Sequence, residues 1–288
     1  MSKPIFRFAP SPNGLLHLGH ALSAFVTHDM THQMGGRFLL RIEDIDVARC
    51  QPEFETQMLA DLAWLGLSWE EPVRRQSEHF ETYENKLRKL EALDLLYPCF
   101  ASRKEIAGHA IAGQNDPDGA PLYPGLHKNL SADEVQVRKD KGEPFALRID
   151  MEKAVRTARA MTDRPLSFNE LDPDSGELNT SPADPARWGD AVIARKDVPT
   201  SYHLSVVVDD ALQNITHVTR GRDLYAATDI HRLLQVLLEL PEPLYHHHAL
   251  LTGNDGRKLS KSQKDKSLAS LRAQGMEPLD IRHMAGLA

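Results

Sequence analysis

Arg7 to His20 reads RFAPSPNGLLHLGH, and it sits between a short apolar run, Ile5 to Phe8, and an amphipathic one. Pro4 and Pro10 bound the apolar run, which suits a buried strand ending in a turn. From Leu18 the period changes: Leu18, Leu22, Phe25 and Val26 recur at helical spacing, and Gly35 and Gly36 stop the pattern. The order is strand, glycine-containing loop, helix. Arg37 to Ile42, RFLLRI, then reads as a second strand with few polar interruptions, as expected when helices cover both faces of a parallel sheet.

Working outward, Pro52 to Leu65 and Gln76 to Leu96 read as helices. Between Tyr97 and about Pro185 the texture shifts to loops rich in Gly, Pro, Asn and Asp, which suggests an inserted domain of mixed structure. Strand texture returns at Asp190 to Lys196 and again at Leu204 to Val208, LSVVV. Ile230, Leu233, Leu234, Leu237 and Leu238 then mark one face of a helix. His247 to Leu251 reads as a strand. The predicted architecture is a doubly wound parallel α/β sheet interrupted by a mixed α/β insertion. Its expected divisions are 1–96, first half of the main domain; 97–185, the insertion; 186–245, second half; and 246–288, a loop and helical segment.

Composition narrows the function classes. A chain of 288 residues, 41% hydrophobic and 26% charged, can bury a sizeable core and has no apolar run near the ~18 residues of a membrane span. Residues 1–30 carry no secretory pattern, so the cytoplasm is the expected location. The two cysteines, Cys50 and Cys99, form no disulfide framework. A net charge of −7 argues against nonspecific polyanion binding, though it leaves room for a local basic face.

His17 and His20 lie at the mouth of the expected helix, whose unsatisfied N–H groups and partial positive charge suit a phosphate. Imidazole donors there could stabilise charge that builds on phosphate oxygens during displacement. Taken alone, two such histidines read first as caps or surface residues, and a metal site has no obvious third ligand. Far downstream, Gly256 to Gln263 reads GRKLSKSQ, with Lys258 and Lys261 alternating with small hydroxyl residues. Flexible cations in a loop can close over a triphosphate, although a solvated basic loop is the plainer reading of that segment alone.

The two segments together resemble the class I aminoacyl-tRNA synthetases. HLGH at 17–20 is similar to the HIGH signature of that family and KLSKS at 258–262 to its KMSKS signature. RFAPSPNG at 7–14, LRIEDID at 40–46 and YHLSVVVDD at 202–210 followed by Arg220 resemble its glutamyl-specific branch. These blocks span nearly the whole chain in the expected order.

The resemblance implies a Rossmann-like catalytic domain that activates L-glutamate with ATP and Mg²⁺. It implies that His17, His20, Lys258 and Lys261 stabilise the transition state, with Gly19, Ser260 and Lys261 against the nucleotide. Arg7, Ala9 and Ser11 would line the glutamate pocket, Glu43 would meet the α-ammonium group, and Tyr202 and Arg220 would engage carboxylates. A zwitterion with an extra carboxylate needs one buried anion and at least one arginine fork, so the assignment is chemically coherent. A salt bridge of Glu43 with Arg41 or Arg49 is the structural alternative.

The chain ends 26 residues after Ser262, too few for the anticodon-binding domain of full-length glutamyl enzymes. The expectation is therefore the short paralogue that attaches glutamate to the queuosine base of tRNA(Asp), acting as a monomer. Arg220 to Leu224, RGRDL, and Val206 point the same way, since full-length enzymes carry acidic residues after that arginine and Asn at the valine position. Alternatives are a compact enzyme charging a tRNA 3′ end, a nucleotidyltransferase, and a catalytically idle tRNA-binding paralogue. Zinc-bearing relatives carry a Cys-x-Cys pair and a Tyr-x-x-x-Cys, where this chain has Cys99, Ala101, Tyr123 and His127. That set is incomplete, so no metal is expected unless His109 substitutes. The tract His246 to His248 should not converge on a metal, because neighbours in a strand point to opposite faces. Trp64, Trp69 and Trp188 read as packing, and Arg138, Lys139 and Lys141 as a solvated helix end.

Overall fold

A computed structural model describes residues 3–251 and 266–287. Strand β1 (Ile5–Phe8) runs into a loop and then helix α1 (Leu18–Gln33), after which β2 (Arg37–Ile42) returns parallel to β1. Phe6 and Phe8 are buried on the sheet, and Leu22 and Phe25 bury the inner face of α1. The turn between α1 and β2 needs glycine twice. Gly35 has φ +59°, and a Cβ on Gly36 would lie 2.7 Å from the Pro4 carbonyl oxygen.

Helix α2 (Pro52–Trp64) leads to β3 (Glu70–Arg75), and α3 (Phe80–Ala92) to β4 (Leu96–Cys99). The exposed helices α4 (Arg103–His109) and α5 (Ala132–Asp140) precede β5 (Ala146–Ile149) and the amphipathic α6 (Met151–Met161). Then come β6 (Ser167–Leu171), β7 (Leu178–Pro182), β8 (Val192–Ala194), α7 (Tyr202–Leu212), β9 (His217–Gly221), α8 (Ala227–Leu237) and β10 (Leu244–His248). Short helices α9 (Leu268–Ala273) and α10 (Pro278–Met284) close the order.

A seven-stranded sheet has the order β3-β2-β1-β9-β10-β6-β7 and is parallel except for β7. β4, β5 and β8 form a second, antiparallel sheet. Of the span 97–185, β4 and β5 belong to the small sheet, whereas β6 and β7 extend the large one. The chain moves outward from β1 to β2 on one side and later continues through β9 and β10 on the other. That reversal opens a crevice at the carboxyl ends of β1 and β9, where such sheets hold ligands.

Two expectations need correction. Leu204 to Val208 is not a strand but lies in α7. Seven successive residues of α7, Leu204 to Asp210, are buried, because α3, α8 and β8 pack around it. A helix enclosed on all sides loses its amphipathic period, and three adjacent valines then imitate a strand. Glu70 to Arg75, outside the expected elements, forms strand β3 at the sheet edge, where charged residues and a proline are tolerated. β10 itself starts at Leu244, three residues before the expected position, and ends at His248. Among the described residues, no helix is long and apolar enough to cross a membrane.

Candidate active site

The crevice is a cavity of about 530 Å³. Phe8 to Ser11 beyond β1, Glu43 beyond β2, Thr219 to Gly221 at the end of β9, and His248 to Leu251 at the end of β10 contribute its walls, with the start of α1. Arg7, Ala9, Ser11, His17, Gly19, His20, Glu43, Tyr202 and Arg220 all line it. Those are all the expected site residues that the structure describes. Lys258, Ser260 and Lys261 lie outside the described residues. Their described flanks do reach the site: Leu251 lines the cavity, Ser267 forms a bridge with His17, and the Leu268 amide donates to the Leu16 carbonyl at 2.8 Å.

His17 is the N-cap of α1, and its Nδ1 accepts the Gly19 amide at 3.1 Å. His20 Nδ1 accepts the His17 amide at 3.2 Å, and the two rings lie 3.9 Å apart. Both histidines are therefore caps, as the plain reading had it. Capping through Nδ1 also assigns the proton of each neutral ring to Nε2, so the helix mouth carries two imidazole N–H donors at the positive end of the helix dipole.

Deeper in, two arginines are balanced. Asp210, on α7, accepts Arg7 Nε at 2.9 Å and Arg41 Nη1 at 2.7 Å. Arg41 Nη2 also meets Glu43 Oε1 at 3.1 Å, with the arginine side chain fully buried. The structural alternative for Glu43 is thus real, and it coexists with a place in the cavity wall. Burial pushes the Glu43 carboxyl up, against the opposing pull of Arg41 and Arg7. Burial also acts upward on Asp210, but Arg7 and Arg41 outweigh it and hold that carboxyl below its usual range.

Arg220 is different. Only 5% exposed, it donates Nε–H to His247 Nε2 at 3.0 Å, Nη1–H to His231 Nδ1 at 3.1 Å and to Tyr202 Oη at 3.5 Å, and Nη2–H to Thr228 Oγ1 at 2.6 Å. None of these partners is a carboxylate. Four of its five N–H groups are taken by neutral acceptors, and the charge is left without a counterion among the described residues. A buried unpaired guanidinium is costly unless an anion arrives. In a cavity that also holds Glu43, the arrangement can take a molecule with a cationic and an anionic end.

Sequence reasoning missed Ser23, Thr219, Asp223, Leu224 and His248, which also line the cavity. His248 Nε2 contacts Ser23 Oγ at 2.8 Å, a pairing across 225 positions that no local pattern signals. His246, His247 and His248 reach three different partners, so they do not converge. Trp188 is buried and donates Nε1–H to the Ala226 carbonyl.

The residues at the position of the relatives' zinc site do not fit that ion. His127 Nδ1 accepts the amides of Phe100 at 3.1 Å and Ala101 at 3.2 Å, so its lone pair is engaged. Tyr123 Oη accepts the His127 amide at 2.8 Å and is hydrogen-bonded to Cys99. His109 Nδ1 lies against the Glu105 carbonyl on α4, and no group of three metal-ligating side chains exists among the described residues. The His127 imidazole ties its loop to the end of β4 by direct hydrogen bonds. Freshly purified protein should accordingly carry far less than one equivalent of zinc and melt at the same temperature with and without EDTA; stoichiometric zinc would overturn this.

The family described as tRNA synthetases class I (E and Q), catalytic domain, matches residues 5–287. A protein of Rhodobacter capsulatus named glutamyl-Q tRNA(Asp) synthetase is 46% identical over 286 residues, covering 98% of this chain and 100% of that one. A glutamate–tRNA ligase of Aquifex aeolicus is 37% identical over 96% of this chain and 55% of its own length. Among solved structures, a glutamate tRNA ligase from Elizabethkingia meningosepticum in complex with its amino acid superposes with a TM-score of 0.71 at 26% identity, over 92% of this chain and 53% of that one. The chain thus spans about half the length of these two ligases.

Proposed function

From the premise that this chain belongs to the class I tRNA synthetase (E and Q) catalytic-domain family, we propose that it activates L-glutamate with ATP and transfers it to the queuosine base of tRNA(Asp). The observation that carries the first half is Arg220, a buried cation without a counterion among the described residues, in one cavity with Glu43 and the α1 mouth. Glutamate's side-chain carboxylate meets Arg220 and Tyr202, while its α-ammonium meets Glu43. Its α-carboxylate is then directed towards the helix mouth, where ATP places its α-phosphate.

A carboxylate oxygen attacks that phosphorus, the bond to the bridging oxygen of pyrophosphate breaks, and glutamyl-adenylate and pyrophosphate result. The Nε2–H groups of His17 and His20 and the positive end of the α1 dipole stabilise the charge that grows on the phosphate oxygens. Lys258 and Lys261 join them in this reading by virtue of the KLSKS motif, with Ser260 and Gly19 against the nucleotide. Bound together with ATP, Mg²⁺ would offset the charge of its phosphates. No protein nucleophile is needed. In the second half a hydroxyl of the queuosine cyclopentene ring attacks the mixed anhydride and AMP leaves.

The choice of the modified base over a tRNA 3′ end is supported by the relative at 46% identity, matched over its whole length. Glutamate-dependent ATP–pyrophosphate exchange should occur without any tRNA; exchange only after tRNA addition would contradict the mechanism, and none at all would favour an idle paralogue. Labelled glutamate, ATP and queuosine-containing tRNA(Asp), digested to nucleosides, should then place label on the modified base. Label on the terminal adenosine would instead favour a compact charging enzyme.

A further inference from the structure

Behind the cavity wall, Arg220 is held by a shell of side chains that never touch the cavity. His247 Nδ1 contacts the Glu170 carboxylate, which fixes the proton on Nδ1 and leaves the Nε2 lone pair for the Arg220 Nε–H. Arg220 can only donate, so His231 Nδ1 must be the accepting nitrogen. Its Nε2–H then points at His203 Nδ1, 3.3 Å away. Thr228 Oγ1 accepts from Arg220 Nη2 and lies 3.3 Å from His247 Nε2, within reach of donating its own proton. His231, His247 and Thr228 are all buried.

Each nitrogen role in this chain is consistent only with neutral imidazoles. Burial acts in the same direction, pushing His231 well down, His203 to about 4, and His247 down against the opposing pull of Glu170, with the Arg220 charge adding to it. A shorter acidic side chain at position 231 or 247 could satisfy the same N–H groups. It would also neutralise the guanidinium.

Resting on the glutamate reading of Arg220, we infer that His231 and His247 are positioning and specificity residues: they orient Arg220 with uncharged lone pairs, so its positive charge stays available and the pocket requires a substrate carboxylate there instead of an amide. Uncharged acceptors hold the guanidinium in place without competing with the substrate for it. A carboxylate would hold it equally well and remove the discrimination between glutamate and glutamine.

The test compares side chains of equal size and different charge. His231→Asn keeps an acceptor near the Nδ1 position, whereas His231→Asp adds a negative charge. In ATP–pyrophosphate exchange, H231N should keep kcat/KM for glutamate within about tenfold of the unmodified protein, the cost of an altered neutral hydrogen bond. H231D should raise KM for glutamate on the order of 30-fold or more, from loss of a buried charge pair, with KM for ATP within about threefold. Its preference for glutamate over glutamine should fall by at least about tenfold. A purely structural role for His231 would move the glutamate and ATP parameters together and make no distinction between Asn and Asp. Equal glutamate KM values in H231N and H231D, or an unchanged glutamate-to-glutamine ratio in H231D, overturn the inference. Should H231D fail to fold by circular dichroism, His247→Gln and His247→Glu make the same comparison at the other acceptor. Exchange that is lost in Arg220→Gln but insensitive to these charge swaps defeats only this inference; exchange that survives Arg220→Gln defeats the glutamate reading beneath it.

Discussion

Replacing Arg220 with glutamine lowers kcat/KM for glutamate in pyrophosphate exchange by about 10²–10³-fold, while KM for ATP changes by no more than about threefold. The magnitude follows from truncating one partner of a buried, hydrogen-bonded charge pair, about 3–5 kcal/mol, of which each 1.4 kcal/mol is a factor of ten. Part of that loss comes from the substrate carboxylate, which would be desolvated against Tyr202 and neutral imidazoles with no cation to meet it. The nucleotide side of the cavity, built on His17, Gly19 and His20, is separate in sequence and carried by α1, which is why ATP binding is spared. Lysine is no remedy. The guanidinium donates in three directions, to His247, His231 and Thr228, and a single ammonium cannot span them. An R220Q protein with glutamate kinetics within tenfold of the original would remove Arg220 from the site.

Asp210→Asn destabilises the whole molecule by about 3–5 kcal/mol and lowers the melting temperature on the order of 10 °C. Asp210 ties α7 to two neighbouring strands, because its Oδ1 accepts from Arg7 on β1 and from Arg41 on β2. An amide would leave Arg7 without its carboxylate partner and Arg41 with Glu43 and the more distant Asp209, and Arg41 has no access to water. The effect depends on pH in a definite sense. The Asp210 carboxyl is held below its ordinary value in the folded state, so its contribution is complete above the unfolded-state value, near 4, and fades as pH falls through the lower folded value. The stability gap between the two proteins, read by thermal or urea unfolding, should therefore be constant near neutrality and narrow only in acid. A gap that stays below about 1 kcal/mol at pH 7 would show that the Asp210 pairs add little.

The sequence by itself determined a good deal. Proline and glycine punctuation around Ile5 to Phe8, followed by a change of period at Leu18, specifies strand, loop and helix without reference to anything distant. The HLGH motif and the blocks that resemble the glutamyl branch then pointed to residues that line the cavity, from Arg7 and Ser11 to Tyr202 and Arg220. α7 was misread because Leu204 to Asp210 are buried on every side, and a stretch with no exposed side carries no alternation to read.

Only the tertiary structure decided which charges are balanced. Arg7 and Asp210 stand 203 positions apart, yet they form an ion pair at 2.9 Å. Arg220 looks no different from them in the sequence, but its neighbours in space turn out to be His231, His247, Thr228 and Tyr202. Coulomb energy and desolvation depend on separations of a few ångströms and on exclusion of water, and neither is a property of position along the chain. For that reason one buried arginine is a structural tie, while another reaches the cavity wall with only neutral partners among the described residues, and it is the one proposed to receive a substrate's charge.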